Sequence, residues 1–466
     1  MKNIFLFLWL SLITTPILAQ GYYNQENFGN RSLLLGGNVT GSVDDLGFTY
    51  YNPARIALID EPVFTINAKA YQFSALNIKN IFGRDEKLSD SKFEGVPSLL
   101  AGTFKIGDSE KHKFAYAFLT KQRSRIDIGV TRENVSGGIV DEIEEVDKLA
   151  AGIEMSNRET DEWFGGTWGT KLRDNLSIGV SAFVSIYEFS GLYDVRYALH
   201  EISQEVDFYN NIIKFNQKSY GMFWKVGLAW QLKNIDLGIS IDAPYLEIID
   251  KGSFRYNEFL AGIGEEDDIY EYINYEDIES KRKEPLGISL GAGVPIGKNK
   301  LHVKVDWHGR VSEYDRLVIP VEEDGNGDPL IFAFKDELKS VINFGVGAEI
   351  YLNEKLNFYA GFSTDFSPVE ANANIFDLIG RGEQDTNLAA DYYHYSFGVQ
   401  LKLKNARVVI GSTYSSATAT FDRPIDFPDP DDEIMDSDGP SSLGVSRWRF
   451  ILGLEIPIFG YKVEFK

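Results

Sequence analysis

Residues 301–308 read LHVKVDWH, a stretch in which apolar and polar side chains alternate without a break. Successive side chains of a β-strand point to opposite faces, so the leucine, valines and tryptophan would share one face and the charged side chains and histidines the other. Transmembrane barrels use this pattern, with the apolar face toward lipid and the polar face toward the lumen. The stretch therefore predicts a barrel strand on which Lys304 and Asp306 point inward.

The same period of two recurs along the chain. The segments that show it are approximately residues 62–78, 93–107, 112–133, 151–172, 175–199, 205–232, 235–248, 283–297, 300–319, 332–352, 355–366, 388–404, 406–421 and 445–460. Tight turns alternate with longer loops, as in outer-membrane barrels, which have an even strand number with short periplasmic turns and long extracellular loops. We predict an all-β fold, a transmembrane antiparallel β-barrel of about 14 strands over residues 62–466.

Residues 1–19 have the features of a cleaved secretory signal. Lys2 precedes an apolar run from Ile4 to Leu10, and the segment ends in Ala19. The run is shorter than the roughly 20 residues that a membrane-spanning helix needs, so we predict a signal peptide that is cleaved after Ala19. No later stretch has 18 consecutive apolar residues, which disfavours an α-helical membrane protein.

The composition excludes several classes of function. The 466 residues include no cysteine, which rules out disulfide scaffolds, thiolate metal sites and cysteine catalysis. The formal net charge is −23, and an acidic chain repels nucleic acid, whose phosphates need a basic patch. We therefore expect no nucleic-acid partner.

A glycine-rich, acidic segment lies between the signal and the first predicted strand and reads GGNVTGSVDDLGFTYYNPARIAL over residues 36–58. Proline keeps the preceding residue out of the α region, so Asn52 should be extended and mark a turn. Residues 54–58 are long enough for about one helical turn. The segment should be short, irregular and tightly folded, as a plug would be.

This segment contains the pairs Gly36-Gly37 and Asp44-Asp45 and, within YYNPA, the tripeptide Asn52, Pro53 and Ala54. In this combination it resembles the N-terminal hatch of the FadL/TodX family, outer-membrane barrels that pass hydrophobic molecules. The resemblance makes the tripeptide the hatch motif and implies a hatch at residues 20–61 ahead of a barrel of fourteen strands. It also implies passive uptake, a low-affinity groove in the extracellular loops, a deeper ligand site at the hatch, and a sideways exit through the wall.

Strand facing predicts a set of cationic side chains inside the barrel. They are Lys121, Arg123 and Arg125 on one strand, Lys304 and Arg310 on another, and Lys225, Arg447 and Arg449 elsewhere. A guanidinium group binds a carboxylate bidentately, so the first five are predicted ligand-binding residues for a compound with an acyl tail. The alternative is a structural network that fastens the hatch. Its acidic members would be Asp306, Glu349, Glu455 and Asp45.

Glycines recur on the predicted inward faces. They are Gly179, Gly221, Gly227, Gly238, Gly345, Gly347, Gly361, Gly398, Gly411 and Gly453. Small inward residues would either relieve crowding and permit strand bends or leave room for a passage. Both interpretations suit a plugged barrel.

The long loops are acidic. Asp324, Asn326 and Asp328 have the spacing that begins a calcium-binding loop, but Pro329 replaces the required glycine and Lys335 stands where the bidentate glutamate belongs. We therefore expect a solvated acidic surface, or one that divalent ions bridge to lipopolysaccharide. No metal site and no cofactor is predicted.

One motif raises the question of enzymatic activity. His394 and Ser396 resemble the His-x-Ser of outer-membrane phospholipase A, whose catalytic groups lie on the lipid-facing side. Alternation here puts Tyr393 and Tyr395 on the outer face, so His394 and Ser396 would point into the lumen. The other histidines lack His-x-x-x-His spacing. We predict that the protein is not an enzyme.

Two functions remain open from the sequence. The first is an outer-membrane channel for passive uptake of hydrophobic compounds such as long-chain fatty acids, with outer-membrane lipid and lipopolysaccharide around it. The second is a structural or accessory barrel subunit of a larger outer-membrane assembly. The long loop at 249–282 is rich in aromatic residues among acids, so it would be either a lid over a hydrophobic groove or a protein-binding surface.

Overall fold

The computed structural model describes residues 22–59, 63–79, 88–104, 106, 111–135, 146–201, 206–262, 269–323, 327, 329–369, 383–384, 390–421 and 441–457. The predicted signal peptide and the calcium-like spacing of Asp324, Asn326 and Asp328 lie outside these residues. No helix in the described part of the chain is both long and apolar enough to cross a membrane.

The described chain is mostly strand. The helical elements are α1 (Arg31–Leu34), α2 (Phe48–Tyr51) and a 3₁₀ helix (Pro53–Leu58). The strands are β1 (Val63–Lys79), β2 (Leu88–Phe104), β3 (His112–Val135), β4 (Val146–Arg173), β5 (Leu176–Glu201), β6 (Val206–Leu232), β7 (Ile235–Asp242), β8 (Leu246–Ala261), β9 (Ile269–Ile278), β10 (Gly287–Ile296), β11 (Asn299–His308), β12 (Val311–Leu317), β13 (Glu322–Glu323), β14 (Pro329–Leu330), β15 (Ala333–Leu338), β16 (Val341–Asn353), β17 (Leu356–Asp365), β18 (Glu383–Gln384), β19 (Asp391–Lys402), β20 (Arg407–Phe421) and β21 (Ser441–Pro457).

Fourteen of these strands close into one antiparallel barrel, which confirms the predicted fold class. In chain order they are β1 to β7, β10, β11, β16, β17, β19, β20 and β21, and β21 pairs back to β1. The aromatic-rich loop at 249–282 supplies two further strands. β8 pairs with the first part of β6 and β9 pairs with β8, so this hairpin extends the wall beyond the end of β7.

The barrel wall is uneven in height. We call the end with the tight connections the turn end and the opposite end the loop end. β3 to β6 contain 24, 28, 26 and 27 residues, whereas β10, β11 and β17 contain 10 each. Beyond the short strands, β12, β15 and β18 form a separate three-stranded sheet. Phe334 of β15 and Phe332, just before β15, pack in one hydrophobic cluster with side chains of the long strands β4, β5 and β6.

The outward faces of the barrel strands are apolar, as the alternation predicts. On β11 the side chains of Leu301, Val303, Val305 and Trp307 are exposed, whereas those of His302, Lys304, Asp306 and His308 are buried. Large exposed apolar side chains on neighbouring strands include Trp230, Ile239, Leu290, Ile342, Phe344 and Val346. The exposed aliphatic and aromatic groups form a band around the barrel, which a bilayer would cover.

Residues 22–59 lie inside the barrel, toward its turn end, and we call them the hatch. Their backbone turns sharply at Asn52, which is extended (φ −159°, ψ 100°), as the following proline predicts. The Asn52 side chain accepts a hydrogen bond from the Ala54 amide at 3.1 Å, and Pro53 begins the 3₁₀ helix. Apolar hatch residues such as Phe28, Leu34 and Phe48 are completely buried in a cluster with the barrel wall.

Candidate functional site

Twelve lumenal glycines let the hatch lie directly against the barrel backbone, and we call them the glycine belt. They are Gly169, Gly179, Gly227, Gly238, Gly291, Gly293, Gly345, Gly347, Gly361, Gly398, Gly411 and Gly453. A Cβ atom added at any of them would lie 2.0–3.0 Å from a hatch atom. Gly221, also predicted to be lumenal, faces Tyr245 instead. The hatch therefore occupies the room that the belt glycines leave, and this room is not an open passage.

The predicted hatch motif sits on this belt. The Asn52 amide donates to the carbonyl oxygens of Thr40 at 2.8 Å and Leu228 at 3.1 Å, which joins two parts of the hatch to β6. A Cβ atom on Gly179 would lie 2.4 Å from the Pro53 carbonyl oxygen. The contacts of Asn52, Pro53 and Ala54 are thus structural, because they hold the hatch against the barrel wall.

Buried ionic contacts fasten the lower hatch. Arg31 forms an ion pair with Glu349 of β16 at 2.6 Å and also contacts Asp44. Ser42 lies 2.6 Å from the His302 ring nitrogen. These contacts include Glu349, a member of the structural network proposed from the sequence.

Two other members of that network have different partners. Asp45 stays within the hatch, where it accepts hydrogen bonds from the Ser32 amide at 2.8 Å and hydroxyl at 2.7 Å. Glu455 pairs with Arg407 on the neighbouring strand at 2.6 Å. The network therefore stabilises the hatch internally as well as against the wall.

The first residues of the hatch, 22–28, cross the upper side of the plug, and we call them the strap. The Asp365 carboxylate accepts the backbone amides of Tyr23 at 3.1 Å and Asn24 at 2.9 Å. Arg449 donates to the Gln25 carbonyl oxygen at 2.8 Å. Polar groups from β17 and β21 thus hold the strap across the lumen.

Two of the five predicted ligand-binding residues reach the lumen. Lys304 is buried, pairs with Asp306 at 2.6 Å and donates to the Asn24 side chain at 3.1 Å. Lys121 is buried and donates to the Tyr23 carbonyl oxygen at 3.3 Å. Both ammonium groups therefore contact adjacent residues of the strap.

The other three lie elsewhere, so the prediction of an inward face for Arg123, Arg125 and Arg310 is wrong. Between the pairs Thr120↔Glu162 and Gln122↔Asp161 the β3–β4 register shifts by one residue, because a β-bulge inserts Lys121. The bulge reverses the alternation, so the two arginines of β3 point outward. The Arg125 side chain is 51% exposed and pairs with Asp127 at 2.7 Å. Arg310 follows the end of β11, is exposed and pairs with Glu337.

One buried cation of the lumen, Arg282, was not predicted from the sequence. Its guanidinium group pairs with Asp161 at 2.7 Å and Glu284 at 2.5 Å and lies 4.0 Å from the Tyr187 ring centroid and 4.8 Å from that of Tyr245. Burial raises the pKa of Glu284, and the charge of Arg282 opposes that rise. The sequence signal that could have indicated it is the charged stretch KRKE at 281–284, which overlaps the start of the strand predicted over 283–297.

An aromatic-rich core fills the tall part of the barrel toward the loop end, and we call it the loop-end cluster. Its aromatic members are Tyr187, Phe189, Tyr193, Phe215, Phe254, Tyr256, Phe332 and Phe334. A second apolar cluster surrounds the hatch and includes Phe223 and Trp163. Arg282 contacts Tyr187 of the first cluster and Phe223 of the second, so a charged layer separates two apolar regions.

The barrel wall opens between β2 and β3, and we call the opening the wall gap. The two strands pair only from Phe104↔Phe114 to Leu99↔Leu119. Toward the loop end both strands continue, and within the described part of the chain β2 pairs there only with β1 and β3 only with β4. Pro97, which lacks an amide donor, stands where the ladder ends.

Two bulges and the strap meet at this gap. β2 bulges at Ser98, because Asn67 pairs with Leu99 and Ala68 with Pro97, and β3 bulges at Lys121. The Ser98 hydroxyl donates to the Asn27 carbonyl oxygen at 3.3 Å. The side chains of Gln122 and Gln25 meet at 3.3 Å. The strap therefore contacts both edges of the gap.

No protein-family model matches the sequence, and no curated protein matches it either. Solved structures do match. A FadL homologue of Pseudomonas aeruginosa has a TM-score of 0.54 and 13% identity, over 95% of this chain and 100% of that chain. The toluene transporter TodX of P. putida has a TM-score of 0.59 and 12% identity, over 94% of this chain and 100% of that chain.

The monoaromatic hydrocarbon channel CymD has a TM-score of 0.54 and 10% identity, over 94% of this chain and 100% of that chain. At these identities the likeness is one of fold. It extends over nearly the whole chain. The protein therefore has the fold of the FadL-type channels, as its hatch residues predict.

Proposed function

We propose that this protein is an outer-membrane channel that takes up hydrophobic compounds passively. The wall gap carries the proposal, because it opens at the height where the strap crosses the lumen. The hatch blocks the straight path, since its backbone lies against the glycine belt. A hydrophobic compound above the hatch would instead leave sideways into the bilayer.

The surface of the barrel supports this placement. Its outward strand faces carry aliphatic and aromatic side chains, including Leu290 and Val305, while charged groups such as Lys304 stay inside. A charge that faced lipid at the bilayer centre would cost about 2–4 kcal/mol. The turn end would face the periplasm and the loop end the exterior, as in outer-membrane barrels.

The route has three stages. A compound would first enter the aromatic loop-end cluster by displacing packed side chains such as Phe332 and Phe334. It would then pass the charged layer around Arg282 and reach the strap. Movement of the strap away from Ser98 and Gln122 would open the wall gap. Long-chain fatty acids, as predicted from the sequence, and uncharged hydrocarbons both belong to the compounds that such a route could carry.

One observation favours a second function, an accessory subunit of a larger assembly. The β8–β9 region exposes large apolar side chains, with Tyr270 70%, Ile248 61% and Tyr272 52% exposed. Exposed apolar patches often bind proteins. This function would be supported by a stoichiometric protein partner after purification in mild detergent.

The channel proposal is tested by tying the strap to the edge of the gap. The chain has no cysteine, so Gln25→Cys and Gln122→Cys introduce the only two thiols. Their side chains meet at 3.3 Å in the native protein, within reach of a short, disulfide-containing bifunctional thiol reagent. We expect the cross-link to reduce uptake of radiolabelled toluene to that of cells without the protein, and a reductant to restore it.

A cysteine pair on β2 and β3 controls for the chemistry. Leu100→Cys and Phe118→Cys lie opposite each other below the gap, where β2 and β3 already pair. Cross-linking them should leave uptake unchanged. Normal uptake with the strap tied to Gln122 would contradict the sideways route.

A further inference from the structure

We infer that the lumen selects uncharged hydrophobic compounds over carboxylates, with Asp161 and Glu284 as the residues that determine this specificity. The inference rests on the proposed channel function and narrows its substrate class. It follows from the position of Arg282, from the acids paired with three of the cations along the route, and from what a carboxylate would have to displace.

Arg282 stands where a compound must pass between the two apolar regions. Its guanidinium group lies 4.0 Å from the Tyr187 ring centroid in the loop-end cluster and 5.5 Å from that of Phe223 in the cluster around the hatch. The side chain is 3% exposed. Arg282 therefore occupies a narrow, aromatic-lined part of the lumen.

The same group stands beside the exit. Asp161, the partner of Arg282, pairs across the β3–β4 ladder with Gln122. Gln122 borders the wall gap and contacts the strap. A compound that leaves through the gap would thus pass within about one side chain of the Arg282–Asp161 pair.

Carboxylates of the protein already pair with three of the cations along this route. Arg282 has two acidic partners, Asp161 at 2.7 Å and Glu284 at 2.5 Å. The other close pairs are Lys225 with Asp242 at 2.6 Å and Lys304 with Asp306 at 2.6 Å. Burial raises the pKa of Glu284, and the charges of Arg282 and Lys121 oppose that rise, so the carboxyl group lies in the electrostatic field of both cations.

A carboxylate ligand would gain little from these cations. To bind Arg282 it would have to separate the guanidinium group from Asp161, whose side chain is 1% exposed. A buried carboxylate that loses its partner is strongly destabilised. An uncharged compound requires no such exchange, because dispersion contacts with the surrounding aromatic rings suffice.

The test compares two ligands that share one hydrocarbon chain, oleyl alcohol and oleate. Equilibrium binding of each radiolabelled compound to the purified, detergent-solubilised protein gives a ratio of affinities. We expect wild-type protein to bind oleyl alcohol more tightly. Asp161→Asn keeps the side-chain shape but removes one of the two carboxylate partners of Arg282, so it should shift the ratio toward oleate by about tenfold, the effect of one charge-assisted hydrogen bond.

Glu284→Gln removes the second acidic partner and gives an independent measurement if the first variant does not fold. Asp277→Asn is the control, because Asp277 is 77% exposed at the loop end and pairs only with exposed Lys251 among the described contacts. It should leave the ratio unchanged. Heat-modifiable migration on a gel checks that each variant forms a barrel.

The outcomes separate the two proposals. Equal affinity of wild-type protein for both compounds, or no shift toward oleate in either variant, would overturn the selectivity and leave the channel intact. If cells that express the protein take up neither compound, the channel proposal and the selectivity that rests on it both fail.

Discussion

The glycine belt and the wall gap show two opposite ways in which this barrel meets its hatch. Along the belt, barrel and hatch backbones lie so close that an added Cβ atom on Gly361 would be 2.3 Å from the Leu35 carbonyl carbon. At the gap the strand ladder ends, and the hatch contacts the edges through separate side-chain hydrogen bonds from Ser98, Lys121 and Gln122. The close backbone packing along the belt leaves no space for the hatch to shift, whereas the hydrogen bonds at the gap can break and re-form.

This difference indicates which part of the hatch can move at a low cost in free energy. Close-packed backbone has no alternative arrangement nearby, so the lower hatch should stay fixed during transport. The neutral hydrogen bonds that Ser98 and Gln122 make with the strap contribute about 0.5–1.5 kcal/mol each, an amount that a bound ligand can offset. We therefore expect a hatch that is rigid at the turn end and movable at the gap.

The largest expected effect on the free energy of unfolding comes from breaking the ionic contact between Arg31 of the lower hatch and Glu349 of the barrel wall. Arg31→Ala removes the partner of Glu349, and loss of one member of a buried pair typically costs about 3–5 kcal/mol. Urea unfolding of the detergent-solubilised protein measures this. Lys251→Ala breaks an exposed pair with Asp277 and should cost less than about 1 kcal/mol. Equal losses would mean that Arg31 does not anchor the hatch.

A smaller loss of stability should follow from adding a methyl side chain to a glycine of the belt. Gly361→Ala places a methyl group against the hatch backbone, and overpacking of this kind costs about 1–3 kcal/mol. The same substitution at Gly129, where a Cβ atom meets nothing within 4 Å, is the matched control. Protease sensitivity of the hatch should rise in the first variant alone. Identical behaviour would show that the hatch can shift along the belt.

The smallest effect is expected at Arg125, one of the five residues that the sequence predicts to bind a ligand. Arg125→Ala removes an outward, 51% exposed side chain, so it should leave stability within about 0.5 kcal/mol and uptake unchanged. Lys121→Ala removes a contact between β3 and the strap and should alter uptake. Transport assays on both variants compare the two faces of one strand. Reduced uptake in Arg125→Ala would restore that residue as a ligand-binding candidate.

The contrast within β3 shows what limited the prediction of the site. Alternation was correct from Phe114 to Leu119, where the period of two holds. Beyond it, the bulge at Lys121 reversed every later position, including Arg123 and Arg125. A bulge is set by how two strands pair, and β4 lies more than twenty residues farther along the chain. Local sequence carries no signal of that register.

Arg282 was missed for a related reason. It lies in a stretch without regular secondary structure, between β9 and β10. Neither the strand period of two nor the helical period therefore predicts which way its side chain points. Its partners Asp161 and Ser185 are 121 and 97 residues away in the sequence. Closure of the barrel and infolding of the loop-end segments bring them together. Only long-range packing makes this arginine part of the lumen.

The sequence by itself determined the closed barrel, the facing of its regular strands and the turn at Asn52, because each follows from local alternation or from the sterics of one proline. Tertiary structure decided the glycine belt, the wall gap and the charged layer around Arg282. Each of these depends on which distant segments meet and in what register, and a change of one residue in register turns a side chain from lumen to lipid.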